Sequence, residues 1–185
     1  MLKRLGDFFL DIFQVVIFAG AIFLILYLLV MQPHKIDGAS MEPNFHHGEY
    51  LLTDKVTYRF NEPSRGDVVI FRAPGDIEED YIKRIIGLPG EKIEIKDGNV
   101  YINNKKLNES YMPSDFYTLP GSFFADKEEV FVPQNKLFVL GDNRSQSADS
   151  RSFGFVDKQT IIGRAWLLYW PINEIGVIRG ARYDL

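Results

Sequence analysis

The chain has 185 residues, 46% of them hydrophobic, and its formal net charge is −4 at pH 7. This length leaves room for one compact domain plus a short additional segment, not for two domains of ordinary size. The acidic balance argues against nucleic acid as a partner, because such binding relies on neutralising phosphates. The sequence contains no cysteine, which excludes disulfide scaffolds, zinc–thiolate sites and a cysteine nucleophile.

A continuous apolar segment without formal charge covers residues 12–31. As a helix it would be about 30 Å long, which matches the hydrocarbon core of a bilayer. A cleavable secretory signal would have a shorter apolar region, and a buried core helix is rarely apolar on every face. The sequence therefore predicts a transmembrane anchor. Because Lys3 and Arg4 precede it, the positive-inside rule places residues 1–11 in the cytoplasm and residues 32–185 outside.

The remainder of the chain is typical of a β-rich domain, with alternating apolar residues interrupted by Gly, Pro, Asn and Asp. Asp97-Gly98, between two alternating runs, is the clearest hairpin signal. Residues 108–130 lack periodicity, so we expect a long surface excursion within a hairpin-and-excursion region of about residues 96–137. We predict no helix besides the anchor. The predicted core and hairpin strands are residues 68–71, 81–86, 92–96 and 99–102, and further apolar core segments are residues 131–132, 137–140 and 161–170.

The three histidines give little support for metal or triad chemistry. His34, His46 and His47 lie in one short region without carboxylates at ligand spacing, so the sequence predicts no metal site. A histidine base for Ser40 is geometrically awkward, because His34 is beside the predicted span and the other two follow the serine closely. Residues 87–90 lack the spacing of a phosphate-binding loop and are interpreted as a turn. We therefore expect no cofactor.

One serine and one lysine have surroundings that suit catalysis. Ser40 follows two small residues and precedes a proline, and the small neighbours let a substrate backbone approach. Lys83 lies in an otherwise apolar strand. Serine attacks a carbonyl only if a base removes its proton, and a neutral lysine amine can be that base. Burial in an apolar strand favours the neutral amine. Taken separately, each residue has a simpler structural explanation, Ser40 as a turn residue and Lys83 as an edge-strand charge that prevents aggregation.

Three motifs together resemble those of bacterial type I signal peptidases. They are GASMEP at residues 38–43, KRIIGLPGE at residues 83–91, and GDNR at residues 141–144 followed by SADSR at residues 147–151. The resemblance extends over nearly the whole chain, and the short length with a single span is similar to the Gram-positive type. It implies a mainly β fold of two packed antiparallel sheets, preceded by one N-terminal transmembrane helix.

The resemblance also implies a role for each matching residue. Ser40 matches the nucleophile, Lys83 the general base, and Ser147 the serine that orients the lysine amine. Gly38 stands where some relatives carry a serine hydroxyl that assists the oxyanion hole, so that side-chain donor is missing here. Four further residues match a charged cluster that braces the site, which we interpret as structural: Arg84, Asp142, Asp149 and Arg151.

In the family that this chain resembles, the substrate lies extended beside strands near the serine and lysine. Main-chain pairing supplies affinity, and shallow apolar pockets accept small side chains at the first and third residues before the cut. Selectivity for small residues would then be steric. Phe45, near the serine, is equally compatible with contact to the membrane surface and with a core position. The residues that match the pocket-lining positions are Ile36, Met41, Tyr81 and Ile82.

We therefore expect a membrane-bound serine endopeptidase that removes signal peptides from exported preproteins. Its catalytic domain would be extracytoplasmic and its anchor would lie in the plasma membrane. Its partners would be the preproteins, the lipid bilayer and the secretion translocon. Two alternatives stay open: a narrower processing peptidase for a pilus or a single exported substrate, and a non-catalytic, membrane-tethered binding homologue.

Overall fold

The chain begins with one long helix and continues as a β domain. The computed structural model describes residues 2–75, 79–123, 126 and 128–184. Helix α1 spans Leu2–Ile25, one π-helical turn follows at Leu26–Val30, and the first strand begins at Met31. The part Gly6–Ile25 is long and apolar enough to cross a membrane, and none of it is buried within the protein. The helix thus begins well before the predicted span 12–31 and ends before it does.

Twelve strands and two one-turn helices make up the rest of the described chain. The strands are β1 (Met31–Lys35), β2 (Tyr50–Asp54), β3 (Val68–Arg72), β4 (Asp80–Gly87), β5 (Lys92–Lys96), β6 (Asn99–Ile102), β7 (Lys105–Lys106), β8 (Glu129–Phe131), β9 (Lys136–Leu140), β10 (Val156–Asp157), β11 (Ile161–Trp170) and β12 (Gly176–Val177). The short helices are α2 (Thr57–Phe60) and α3 (Ser150–Phe153), and 3-10 turns lie at Lys158–Thr160 and Ile172–Glu174.

The prediction of no helix besides the anchor is wrong for these two single turns. The Asp149 side chain accepts a hydrogen bond from the Arg151 backbone N–H and so caps α3. Such a cap satisfies one of the N–H groups that a helix start leaves without a partner. It acts locally and leaves no trace in the hydrophobic pattern, which is why a search for apolar periodicity does not find it.

Two antiparallel sheets form the β domain. The larger has the strand order β1-β2-β11-β3-β4-β9-β10, with β12 also paired to β11, and the smaller has the order β7-β6-β5-β8. The predicted mainly β fold of two antiparallel sheets after an apolar helix is confirmed. Strand β4 lies between β3 and β9, and Lys83 within it pairs with Val69 of β3. Lys83 is therefore not an edge-strand residue.

Both faces of the larger sheet are covered. Along β3, Val68 and Ile70 pack into one core cluster, whereas Val69 and Phe71 pack into another. Successive side chains of a strand point to opposite faces, so a strand buried on both sides has an unbroken apolar run. A third cluster joins the smaller sheet to β9. This double burial makes the strands around Lys83 a low-dielectric environment.

The hairpin forms where it is predicted, but the excursion after it is partly buried. Asp97 and Gly98 connect β5 to β6 with φ values of 50° and 76°, the positive values that a tight hairpin turn of the primed type requires. Within residues 108–130, Glu109 and Thr118 are buried rather than at the surface. Both accept hydrogen bonds from Arg144, because buried polar groups need partners.

Candidate active site

Ser40 lies in the loop between β1 and β2, and hydrogen bonds on both sides of it fix its main chain. The Ser40 carbonyl accepts a hydrogen bond from the Asn143 backbone N–H at 3.0 Å, and the Ala39 carbonyl accepts one from the Asn143 side chain at 3.1 Å. The neighbouring Met41 is 1% exposed and anchors the loop in the core. The Ser40 hydroxyl therefore starts from a defined position.

Lys83 reaches this hydroxyl from the central strand β4. Its Nζ lies 2.9 Å from Ser40 Oγ, and it donates a hydrogen bond to the Ile82 carbonyl at 2.8 Å. Nζ also lies 5.1 Å from the centre of the Tyr81 ring. Lys83 is only 3% exposed. The structure thus brings together two residues that are 43 positions apart in the sequence.

Burial lowers the pKa of Lys83 from 10.5 to about 8, because desolvation penalises the charged ammonium. The negative charges of Asp149, Asp142 and Glu79 act in the opposite direction. At pH 7 an amine with this pKa is neutral in roughly one molecule in ten, against roughly one in 2,500 at the reference pKa. A neutral amine can accept the Ser40 proton, so the pair has both the geometry and the charge state for nucleophilic chemistry.

Ser147 lies beside Ser40 because the main chain at Gly141 passes very close to both. A Cβ atom at Gly141 would lie 2.1 Å from Ser147 Oγ and 2.4 Å from the Ser40 carbonyl oxygen, so only glycine fits there. Ser147 Oγ is buried and has no hydrogen-bond partner in the described part of the chain. Lys83 Nζ bonds to Ser40 and Ile82 instead. The orienting role of Ser147 stays a prediction.

The four predicted charged residues form two buried ion pairs. Arg84 donates to both carboxylate oxygens of Asp142, with distances of 2.8 Å from Nε and 2.6 Å from Nη2. Arg151 binds Asp149 in the same two-pronged way, at 2.8 and 2.7 Å. Asp149 also accepts the Gly141 N–H at 3.1 Å. Removing one partner of such a pair leaves an uncompensated buried charge, so both pairs brace the segment after β9.

A cavity of about 380 Å³ opens beside the serine and the lysine, and we call it the Ser40–Lys83 cavity. Ser40 and Lys83 line it, together with Ile36, Tyr81 and Ile82. Three of the four predicted pocket residues therefore face the space next to the reactive hydroxyl.

Met41, the fourth predicted pocket residue, does not line this cavity. Its side chain belongs to the core cluster beneath the loop and is almost completely buried. Phe45 belongs to the same cluster and is 7% exposed, so it is a core residue and does not contact a membrane surface. Burying these two side chains helps to hold the loop of residues 36–49 to the sheet.

Three residues without an assigned role from the sequence also hold the site. Asn44 donates a hydrogen bond to Asp142 at 2.9 Å, and Asn143 holds the Ser40 main chain. Arg144 binds the Gly141 carbonyl at 3.0 Å and the buried Glu109 carboxylate at 3.0 Å. Asn143 and Arg144 belong to the GDNR motif, and this motif was the sequence signal that could have indicated their role in the site. Glu109 lies in the aperiodic region and gave none.

His34 lines the Ser40–Lys83 cavity without bonding to Ser40. Its Nδ1 lies 2.8 Å from Thr53 Oγ1, and its Nε2 faces Asp80 at 3.3 Å. Burial lowers the pKa of His34 against the opposing effect of Asp80. Among the described side chains, the hydrogen-bond partner of Ser40 Oγ is Lys83. The geometry therefore favours a lysine base over a histidine triad.

One group of possible metal ligands lies outside the cavity. Ligand atoms of His46, Glu49 and Glu174 lie within 4.8 Å of one another. The His46 backbone N–H and Nδ1 contact the Glu49 carboxylate at 2.9 and 3.1 Å, which already satisfies that buried group. Glu49 follows His46 by three residues, so the interpretation that the histidines lack a carboxylate at ligand spacing is wrong for His46; Glu174 is distant in sequence and gave no local signal.

Fold and site together define a class of protein. A serine hydroxyl lies against a buried lysine amine on an antiparallel β domain behind an apolar helix, an arrangement that a hydrolase could use for nucleophilic attack. A family model described as "Signal peptidase, peptidase S26" matches residues 9–170. The chain belongs to this family.

Two relatives that match by sequence agree with this assignment. A probable signal peptidase I-2 of Synechocystis sp. is 36% identical over 154 residues, which cover 80% of this chain and 67% of that protein. Signal peptidase IB of Staphylococcus aureus strain COL is 33% identical over 178 residues, which cover 89% of this chain and 92% of that protein. A crystal structure of a signal peptidase I from Enterococcus faecalis V583 is 33% identical and covers 56% of this chain and 97% of that chain, with a TM-score of 0.48. The chain is accordingly a protease of the signal peptidase type.

Proposed function

We propose that this protein is a type I signal peptidase in which Ser40 is the nucleophile and Lys83 the general base. The observation that carries the proposal is the 2.9 Å contact between Lys83 Nζ and Ser40 Oγ, made by a lysine that is 3% exposed. An amine at this distance takes the hydroxyl proton without further movement of the main chain. Its burial supplies the neutral form that can accept the proton.

The reaction proceeds in two halves. Ser40 Oγ attacks the carbonyl carbon of the scissile peptide bond while its proton passes to Lys83 Nζ. The ammonium then gives this proton to the leaving amine as the C–N bond breaks, which leaves the leader as an ester on Ser40. A water molecule, deprotonated by the same amine, attacks the ester and restores the hydroxyl. Lys83 thus serves as base and acid in turn.

The negative oxygen of the tetrahedral intermediate needs hydrogen-bond donors. Within the described residues, the Ser40 backbone N–H donates no hydrogen bond to the protein, so we assign it as the oxyanion donor. Gly38 offers no side-chain donor, and its own N–H is bonded to His47 Nδ1 at 3.1 Å. This site therefore depends on main-chain stabilisation of the oxyanion.

Ser147 and the two ion pairs act as positioning residues in this proposal. A buried hydroxyl without a partner costs free energy, and the Ser147 hydroxyl is in that state beside Ser40. We assign it the orientation of the Lys83 amine. The Arg84–Asp142 and Asp149–Arg151 pairs hold the strand and the segment that carry these groups.

The substrate is a preprotein whose signal peptide occupies the Ser40–Lys83 cavity, which we therefore call the leader-side cavity. Ile36, Tyr81 and Ile82 present apolar surface next to Ser40, and the limited volume favours small side chains before the cut. Steric exclusion of larger side chains selects the substrate without any charged contact. The cavity thus selects leaders by size.

The apolar helix anchors this chemistry at a membrane. Residues 1–11 are cytoplasmic and the β domain is extracytoplasmic in this proposal, since Lys3 and Arg4 precede the span. Strand β1 follows the helix directly and leads into the Ser40 loop, which keeps the site near the bilayer. The lipid bilayer and the secretion translocon, which delivers preproteins, are the expected partners.

Cleavage of a signal-peptide-bearing precursor in detergent tests the proposal. We expect Ser40→Ala and Lys83→Ala each to lower kcat by at least about a thousandfold, because the loss of either member of a catalytic pair abolishes the function of the other. Ser110→Ala and Lys106→Ala are matched controls at exposed positions outside the leader-side cavity, and should cleave like the wild type. Equal cleavage by the wild type and both site variants would contradict a Ser40–Lys83 mechanism.

The same assay separates the alternatives. Cleavage of several unrelated precursors supports a general signal peptidase, whereas cleavage of one alone supports a dedicated processing enzyme. A wild type that binds precursors without cutting any supports a tethered binding homologue. The close contact of Ser40 with Lys83 favours turnover over binding alone.

A further inference from the structure

A second and larger cavity adjoins the loop of Ser40. Its volume is about 700 Å³, and apolar side chains from residues 112–121 form one wall. Glu42 and Ser147 line this cavity, whereas their near neighbours Ser40 and Ala148 line the leader-side cavity. Two different spaces therefore adjoin the short stretch around Ser40.

Resting on the proposed function, we propose that this second space is a mature-side cavity for the first residues after the scissile bond, and that Glu42 selects positive charge there. A substrate chain with its leader in one cavity must leave Ser40 on the other side. Glu42 is two residues from Ser40, so their Cα atoms lie within about 7 Å of each other. An extended substrate rises about 3.3 Å per residue, so the first two or three mature residues pass Glu42.

The charges that line the mature-side cavity leave Glu42 as its uncompensated group. Asp142 is paired with Arg84, and Arg151 is paired with Asp149. Arg144 also lines the cavity and is paired with Glu109.

Glu42 itself has no ion pair among the described residues, and it is partly buried. Partial burial strengthens its field relative to a fully solvated carboxylate. Counted together with its ion-pair partners, the lining carries one net negative charge, that of Glu42, and we expect a negative potential beside it.

This negative potential acts on both the substrate and the product. A lysine within the first three mature residues is attracted, and an aspartate or glutamate is repelled. The new amino terminus, once released from the acyl group, gains a proton and a positive charge as well. The apolar wall from residues 112–121 accepts the uncharged part of a long side chain. This cavity therefore selects substrate side chains by their charge rather than by their size.

The test compares three precursors that share one leader and differ only at the second mature residue, which is Lys, Gln or Glu. For the wild type in detergent we expect kcat/KM to fall in that order, by about fivefold from Lys to Glu, the size of one partly exposed charge contact. Glu42→Gln should remove the order, and Glu42→Lys should reverse it. Asp115→Asn is the control, because it removes an exposed negative charge from residues 112–121 at a position that does not line the cavity. This variant should keep the order of the three precursors.

The outcomes separate the inference from the function on which it rests. Equal cleavage of the three precursors by the wild type would overturn the charge selection and leave the signal peptidase intact. An order that persists in both Glu42 variants would overturn it too. No cleavage of any precursor by the wild type would overturn the proposed function and the inference with it.

Discussion

Lys83 is held between two opposing electrostatic effects. Burial on a central strand removes its hydration and lowers its pKa, whereas Asp149, Asp142 and Glu79 favour the charged form. Desolvation is the larger effect, and the pKa of Lys83 settles at about 8. The nearby carboxylates of Asp142 and Asp149 are already engaged by arginines, which limits their attraction for the amine. An appreciable fraction of Lys83 amines is therefore neutral near neutral pH, as the proposed role as a base requires.

The pH dependence of cleavage follows from this pKa. Below about pH 8 most Lys83 amines carry a proton and cannot accept another, so kcat/KM should rise with pH and level off above that value. Glu79→Gln removes a charge that raises the pKa of Lys83, so the whole profile should move to lower pH. Profiles with a peptide substrate, measured where chemistry limits the rate, check both expectations.

Asp157→Asn is the matched control, because Asp157 pairs with Lys136 and does not perturb Lys83. Its profile should coincide with that of the wild type. A rate that is flat from mildly acidic to alkaline pH would contradict Lys83 as the base.

At the scale of elements, Arg144 is one of the residues that attach the aperiodic segment after β7, and Arg151, which donates to the Leu119 carbonyl, is another. Arg144 contacts Glu109 through both terminal nitrogens and also binds Thr118. Its guanidinium stands 5.4 Å from the centre of the Phe116 ring. Because the segment lacks an apolar stripe of its own, these polar contacts define its path. That path forms the wall of the mature-side cavity.

We expect Arg144→Met to lower the free energy of unfolding by about 3–5 kcal/mol, because it leaves the Glu109 carboxylate buried without its partner. Denaturant unfolding measures this loss, and proteolytic cutting within residues 108–123 should become faster. Lys92→Met, at a more exposed pair with Glu129, should cost less than about 1 kcal/mol. The double variant Arg144→Met, Glu109→Met should recover much of the stability. A single Arg144 variant no less stable than Lys92→Met would contradict the attachment.

At the scale of the whole molecule, the helix and the β domain are connected in series. None of Gly6–Ile25 is buried, so the β domain does not depend on this helix for its core. Strand β1 begins immediately after the π-helical turn and pairs with β2 at the edge of the larger sheet. The anchor therefore sets the location of the enzyme rather than its fold.

Deleting residues 1–30 should leave the free energy of unfolding of the β domain nearly unchanged. Cleavage of a water-soluble peptide should persist, whereas cleavage of a membrane-bound precursor should fall by at least about tenfold, because the anchor supplies the effective concentration. Parallel assays on the peptide and on precursor in vesicles measure the two effects. A truncated chain that unfolds, or that loses both activities, would show that the helix does more than tether.

The local physics of the sequence was sufficient for most elements. The length of the apolar run predicted a membrane-spanning helix, and the alternation around Asp97-Gly98 predicted β5 and β6 with their bounds. Residues 68–71 and 81–86 predicted β3 and β4 because strands buried on both faces are apolar throughout. Strands β1 and β2 escaped prediction, since their burial depends on which neighbours they meet.

Within the site, the motifs indicated Ser40 and Lys83, but their contact depends on the fold. Nothing local distinguishes a catalytic lysine from an edge-strand lysine; the position of β4 between β3 and β9 does. The burial of Met41 in the core and the pairing of Arg144 with Glu109 depend in the same way on the tertiary structure. By itself the sequence determined the elements, whose hydrogen bonds and turns are local. Only the tertiary structure decided which side chains are desolvated and which meet, because burial and long-range contacts are properties of the packed chain.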